Sequence, residues 1–321
     1  MKTTKSHSAR FTVLWLCVAA VALTAILFFL VVPAICAYRF LNPEKQPMTT
    51  FPHELGLAYE YRDITAPDGN LMASWFIPAQ TPGRSGEAGT PEPTDKTVIF
   101  SHNYESNKDM EEINALYLAR TLAQNGYNVL LFDYSGSGSS TGSGYYLGAR
   151  EAGELSAVID YAKKELPAEH LSVIGWAFGA AAALMAADSR VEAVIADSSY
   201  CRLNTYLERN IHVLSDTPSF LNPVTVMFCR MWSGLDFEAY QPLKSVAGTS
   251  GLRYFFIQGS DDTVIPQNSY SLLAAAAAAA NETETWRISG SGHIMGYRDQ
   301  PENYASRVLQ FLNNDKPDEN E

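Results

Sequence analysis

Three short segments carry the residue types that could do chemistry together. The first is Gly175-Trp176-Ala177-Phe178-Gly179, between the apolar run Leu171–Ile174 and a small-residue stretch from Phe178 to Ala187. Where a buried strand turns sharply into a helix, the residue at the turn is strained, and flanking glycines let the chain approach its neighbours. A serine there would be an exposed nucleophile. This chain has Ala177, whose methyl group attacks nothing. The second segment is Gly259-Ser260-Asp261-Asp262-Thr263-Val264-Ile265-Pro266, after the apolar run Tyr254–Ile257. A carboxylate at that place faces the crevice outside the carboxyl ends of parallel strands. The third is Ser289-Gly290-Ser291-Gly292-His293, a glycine-flanked histidine after Thr285–Ile288. An acid that orients an imidazole supplies the general-base half of a nucleophile–histidine–acid triad.

These segments need a frame, and the hydrophobic pattern supplies one. Leu57–Asp63 and Leu71–Ile77 predict strands joined by the turn Pro67-Asp68-Gly69-Asn70. Ala79–Lys96, rich in Pro, Gly, Ser and Thr, predicts an exposed loop. Strands Thr97–Ser101, Val129–Phe132, Leu171–Ile174, Val191–Ala196, Tyr254–Ile257 and Thr285–Ile288 then alternate with helices. The helices are Met110–Asn125, Ala149–Leu166, Phe178–Ala187, Ser269–Ala280 and Pro301–Leu312, the first with Ile113, Leu116, Tyr117 and Leu122 on its apolar face. Repeating β-α-β units predict an α/β fold: a mostly parallel central sheet with helices on both faces. Residues 200–237 interrupt the rhythm with Pro218, Pro223 and the aromatics Tyr200, Tyr206, Phe220, Phe228, Trp232 and Phe237.

With elbow, acid and histidine in that order, the chain resembles a bacterial membrane-anchored α/β hydrolase of the serine esterase/aminopeptidase type, from about residue 55 to 313. Phe100-Ser101-His102-Asn103-Tyr104 stands where that family has a His-Gly turn. Asp133-Tyr134-Ser135-Gly136-Ser137-Gly138-Ser139-Ser140 is similar to its Asp-x-x-Gly-x-Gly-x-Ser segment, and Asp197-Ser198-Ser199-Tyr200 to the segment leading into its cap. The resemblance implies that Asp262, rather than Asp261, orients His293, and that His293 is the general base. It implies an oxyanion hole from the backbone N–H groups of Tyr104 and Phe178, and a helical cap over 200–237 whose aromatics line an apolar site. The substrate class would be a small-molecule or peptide ester or amide. Asn103, where glycine is usual, bears on the width of the oxyanion turn; His102 reads as a residue shaping that turn.

Ala177 dominates the functional expectation. Loss of the serine from a hydrolase triad costs about 10⁶ in kcat, roughly 8 kcal/mol of barrier. The chain is thus either a hydrolase silenced at its nucleophile, by a made or a natural replacement, or a non-catalytic relative that binds a ligand or partner in the old pocket. Ser135, Ser137 and Ser139 read as turn-makers and Cys201 as a small apolar residue, not as substitute nucleophiles.

Composition narrows the rest. The 321 residues carry 23 basic and 35 acidic side chains, a formal charge of −12, which argues against nucleic-acid binding through phosphates. Neither His-Glu-x-x-His nor Cys-x-x-Cys occurs, and Gly136-Ser137-Gly138 makes no dinucleotide fingerprint, so neither a metal nor a cofactor is expected. Cys201 and Cys229 could pair outside the cytoplasm, but two small apolar cap residues are the favoured reading.

Phe11–Val32 is apolar and uncharged for roughly 22 residues, enough to cross about 30 Å of hydrocarbon. It is longer than a signal-peptide core, and Lys2, Lys5 and Arg10 precede it, which favours a cytoplasmic N-terminus. The expected organisation is a cytoplasmic segment 1–10, a transmembrane anchor 11–32, a linker 33–54, an extracytoplasmic α/β domain 55–313 and a disordered tail 314–321. From residue 41 onward there are 19 basic and 35 acidic residues, net −16, so the anchor and not surface charge would hold the domain at a membrane.

Overall fold

The computed structural model describes residues 4–83 and 89–314; the expected tail, beyond Asn314, and the middle of the Ala79–Lys96 loop lie outside them. Two compact units are present: Asn42–Tyr206 with the residues from Asp236 onward, and the residues through Leu41 with Leu207–Leu235.

The larger unit is built on strands β1 (Glu60–Thr65), β2 (Leu71–Ile77), β5 (Lys96–Ser101), β6 (Asn128–Phe132), β7 (His170–Trp176), β8 (Ala193–Asp197), β9 (Arg253–Gly259) and β10 (Glu282–Ile288). Two further strands, β3 (Gln80–Thr81) and β4 (Thr90–Pro91), form a small separate ladder. The eight-stranded order is β1-β2-β6-β5-β7-β8-β9-β10. β2 runs antiparallel to β1 and β6, and every other pairing is parallel.

Period-2 alternation sorts the central strands onto two cores. Ile99, Leu130, Val173 and Val194 face Leu155, Val158 and Ile159 of helix Ala149–Glu165. Val98, Leu131, Ile174 and Ile195 share a core with Leu116 and Leu122 of helix Ala115–Gln124 and with Val308 and Phe311 of helix Pro301–Asn313. Burial on both faces explains the continuous apolar runs of these strands.

The differences from the sequence reading have local causes. The helix expected from Met110 begins only at Ala115, after a 3₁₀ turn at Glu111–Ile113, because Met110 and Asn114 take positive φ (41° and 57°). Of the expected apolar face Ile113, Leu116 and Leu122 are buried, together with Ala115, Leu118, Ala119 and Ala123, and Tyr117 is left 43% exposed. β7 and β9 run to Trp176 and Gly259, so the chemistry-bearing segments begin directly at strand ends.

In the smaller unit, helix Thr4–Ile26 continues through a π-helical turn, Leu27–Val31, into Val32–Leu41. Residues 33–41, expected as linker, are therefore helical, and the non-helical connection starts after Leu41. Arg10–Leu41 is long and apolar enough to cross a membrane: 32 residues, with a mean hydropathy of 2.8 in its most apolar window and none of that window buried. Helix Asn222–Ser233 packs along Val32–Leu41. The Phe220 ring lies 6.1 Å from Phe28 and 6.4 Å from Phe29, and Trp232 lies 6.2 Å from Tyr38. This corrects the reading of 200–237 as one aromatic lining: Phe220 and Trp232 face the N-terminal helix, whereas Tyr200 and Tyr206 belong to the larger unit. The reason is helical periodicity, which puts Phe228 and Trp232 on one face.

Candidate active site

The turn after β7 is tight because two glycines make it so. A β-carbon on Gly175 would come within 2.7 Å of Ala180 backbone atoms, and one on Gly179 would collide with the carbonyl oxygens of Ser101 and His102 at the end of β5. Between them Ala177 sits at φ 49°, ψ −109°, capping helix Phe178–Ala186. Such a conformation costs an L-residue about 1–3 kcal/mol. It is held by the Ala177 N–H, which donates to the Asp197 carbonyl at 2.8 Å, and by the Ser101 hydroxyl, which donates to the Gly179 carbonyl at 2.8 Å. The strained turn is therefore built in full around a side chain with no heteroatom.

Asp262 and His293 are brought together. His293 Nδ1 lies 2.9 Å from Asp262 Oδ2, while Asp262 Oδ1 accepts the Val264 and Ile265 N–H groups at 2.8 and 2.9 Å. Burial pushes the Asp262 carboxyl up, but the His293 hydrogen bond and charge and the two amides outweigh it, so it ionises below the usual carboxylate range. An ionised Asp262 fixes the His293 tautomer with the proton on Nδ1, leaving Nε2 as the basic nitrogen. Asp261 is exposed; its carboxylate accepts the Ser260 hydroxyl at 2.8 Å. The histidine loop is anchored by the Ser291 hydroxyl on Asp299 Oδ2 at 2.6 Å and by the Asp261 N–H on the Ser291 carbonyl at 2.9 Å.

Asp197 links the turn to this pair, a role the sequence reading, which placed it only in the segment leading into the cap, did not give it. Its carbonyl holds Ala177, and its buried carboxylate accepts Tyr304 Oη at 3.0 Å and Ser198 Oγ at 2.8 Å. Burial pushes its pKa up to about 6 against those hydrogen bonds and the His293 charge, with Asp262 adding to the rise. Position at the carboxyl end of a central strand was the available signal.

On the oxyanion side, the Phe178 N–H donates to the side-chain carbonyl of Asn103 at 3.4 Å. The residue standing in place of glycine thus lays its own oxygen on one of the two donors named from the sequence. His102 has both ring nitrogens engaged: Nδ1–H donates to the Asn103 carbonyl at 2.7 Å and Nε2 accepts the Tyr134 N–H at 3.1 Å. Its burial pushes its pKa down, so it is a neutral strut of this turn.

Around Phe178 stands an aromatic cluster of Tyr200 (5.5 Å), Tyr206 (5.8 Å), Tyr104 and Tyr145 (both 6.0 Å between centroids). Tyr145 was not singled out in the sequence; it lies in a Ser/Gly-rich loop that reads as a turn. In that loop the Ser139 N–H caps the Asp133 carboxylate at 2.8 Å and the Ser137 N–H closes a turn on the Tyr134 carbonyl at 2.9 Å. Asp133 is buried in an ion pair with Lys108 Nζ at 2.5 Å, itself 4.8 Å above the Trp75 ring. All four cysteines are free thiols, and no group of metal-binding side chains occurs among the described residues.

Comparison with known proteins agrees with this fold. The family model of the alpha/beta hydrolase fold matches residues 96–222. The uncharacterized protein YqkD of Bacillus subtilis is 26% identical over 231 residues, 70% of this chain and 73% of that protein. The uncharacterized protein YfhR of Escherichia coli K12 is 26% identical over 301 residues, 89% of this chain and 93% of that protein. Among solved structures, the Pyrococcus furiosus esterase Pf2001 superposes with a TM-score of 0.68 at 25% identity, over 86% of this chain and 98% of that one.

Proposed function

The chain has the α/β-hydrolase fold, and from that premise we propose that it is a membrane-anchored relative of the serine ester and amide hydrolases whose acyl-transfer chemistry is silenced at the nucleophile. The observation that carries this reading is the strained turn at Ala177, complete in its glycines and hydrogen bonds, together with an oriented Asp262–His293 pair. In the parent chemistry a serine at 177 would attack the acyl carbon of a small-molecule or peptide ester or amide. His293 would take its proton and deliver it to the leaving group, and the Tyr104 and Phe178 N–H groups would stabilise the oxyanion. Without the serine, the imidazole has no tethered partner; water is neither held nor aligned, so the effective-molarity advantage is lost.

Helix Arg10–Leu41 is the anchor in this proposal, with the N-terminus cytoplasmic and the hydrolase unit outside, as the basic residues before the span favour. No nucleic acid, metal or cofactor enters the scheme.

One observation favours a second reading, a non-catalytic binding protein. Asn103 Oδ1 on the Phe178 N–H mimics an oxyanion and satisfies a donor that an active hydrolase would leave for substrate. The test is the full-length chain in detergent beside its Ala177→Ser variant, assayed with short p-nitrophenyl esters and a fluorophosphonate probe. Labelling and turnover by Ala177→Ser alone support a silenced hydrolase. Turnover by the unaltered chain that His293→Ala abolishes defeats the reading of Ala177, and silence from both favours the binding protein.

A further inference from the structure

The smaller unit presents apolar side chains that its own packing does not cover. Phe220, at the tip between the two helices of 207–235, is 62% exposed, and Met231 and Trp232 are 60% and 44% exposed. These residues are not scattered. Phe220 stands on the rings of Phe28 and Phe29, and Trp232 on Tyr38, two turns and more further along the same N-terminal helix. An open apolar groove of about 420 Å³ lies between them, walled by Leu30, Ala34, Ile35, Tyr38, Phe228 and Trp232.

The helix supplies a ruler. Starting at Phe11, about 30 Å of hydrocarbon is used up by roughly 20 residues at about 1.5 Å each, close to Leu30. Phe28 and Phe29, and the Phe220 ring resting on them, then lie at the hydrocarbon boundary. Tyr38, roughly 12 Å further on, and its partner Trp232 lie past the headgroup layer, which is about 5–7 Å deep on each side, at the water edge of the membrane. Phe220 on Phe28 and Phe29 puts an aromatic tip at the membrane–water boundary, the level at which aromatic side chains gather at a bilayer surface. Charge sets the depth. Asp216 is exposed beside the tip, and a carboxylate cannot follow Phe220 into hydrocarbon. Glu208 and Arg230 pair with each other at 3.7 Å, and His212, one turn after Glu208, lies on the same face of the first helix.

We propose that the helical pair 207–235 is an interfacial membrane-binding element, in which Phe220 enters the outer leaflet at the hydrocarbon boundary. The occupant is the lipid leaflet itself, because the helix on which this pair is seated is the one that crosses the same leaflet; this rests on the anchor reading above. Attraction is apolar, in keeping with a domain whose net charge repels anionic lipid, so a phosphatidylcholine surface suffices.

The test uses the full chain with Cys17→Ala, Cys36→Ala, Cys201→Ala and Cys229→Ala, reconstituted into phosphatidylcholine vesicles. A single cysteine carries the environment-sensitive NBD fluorophore at Ser219→Cys beside the tip, at Val18→Cys in mid-span, or at Tyr61→Cys in the larger unit. Lipids spin-labelled at acyl carbon 5 or carbon 12 serve as quenchers. The expected result is quenching at position 219 at least twofold stronger from carbon 5 than from carbon 12, the reverse order at 18, and none at 61. Quenching at 18 without quenching at 219 overturns the interfacial element and leaves the anchor standing. Absence of quenching at both overturns the anchor reading and this proposal with it. Where the 219 variant loses its circular-dichroism melt, Pro218→Cys, exposed beside the same tip, takes its place with the same expected preference for carbon 5.

Discussion

Replacing Ala177 by serine and Asn103 by glycine, singly and together, separates the two defects of the site by size. The missing nucleophile is worth about 10⁶ in kcat, or roughly 8 kcal/mol. The Asn103 contact is a different matter. Its 3.4 Å length lies beyond the usual range of an N–H···O bond, so its net worth falls at the lower end of about 0.5–1.5 kcal/mol. A substrate oxyanion displacing the Asn103 oxygen gives up that much, a factor of about two to three in rate. Ala177→Ser is therefore expected to restore most of the activity by itself, and adding Asn103→Gly to raise kcat/KM for p-nitrophenyl butyrate less than tenfold. The assay is initial rate against substrate concentration, with active sites counted by fluorophosphonate labelling. A gain of a hundredfold or more from Asn103→Gly would match loss of an entire oxyanion donor, about 10²–10³. That result would refute the claim that the side chain is weakly held. A fall in rate would refute it from the other side, by showing that Asn103 helps the turn.

Further outcomes follow from the same coordinates. Asp197 has its folded pKa raised to about 6 by burial, so its contribution is unfavourable once pH rises above the unfolded carboxylate value and reaches its full size, at most about 3 kcal/mol, above pH 6. Asp197→Asn should then gain denaturant stability relative to the parent at pH 8 but little at pH 4; equal effects at both pH values would show that the carboxylate carries no such penalty. Asp262 has the opposite sign: its depressed pKa gives stability present above about pH 4 and lost as the pH falls through its folded value, so Asp262→Asn should cost stability at pH 7 and much less near pH 3. Gly179→Ala drives a methyl group into the end of β5 and should cost about 3 kcal/mol or more, whereas Gly153→Ala, in open space on helix Ala149–Glu165, should stabilise by about 0.5–1 kcal/mol; urea melts that rank the two the other way contradict the packing described at the turn. Lys108→Met strands Asp133 without its cation and should cost about 3–5 kcal/mol by the same measurement.

What the sequence discloses and what it hides follow physical lines. Gly175 and Gly179 are legible because close approach of backbone to backbone admits no other residue, and the strand–turn–helix context around them is written in local apolar periodicity. The pairing of Asp262 with His293 is legible because two consecutive parallel strands deliver both to one end of the sheet. The Asn103–Phe178 contact is not, since it joins residues 75 positions apart through a side-chain rotamer that no pattern specifies. Asp197 is hidden for a related reason: a lone acid at a strand end gives no sign that its carbonyl and its carboxylate hold different partners. In 207–235 the helical period shows that an apolar face exists, but not that the face turns toward Phe28 and Tyr38.

The outermost strands, β1 and β10, have a consequence for solubility. Each presents an unpaired row of backbone donors and acceptors to solvent, the template on which chains add to one another in fibrous aggregates. β1 carries Glu60, Arg62 and Asp63, and β10 carries Glu282, Glu284 and Arg287. A neighbouring molecule docking strand to strand would have to bring these charges face to face with its own and strip them of water. The rims of the sheet are thereby guarded, and the protein can reach high local density without its sheets merging.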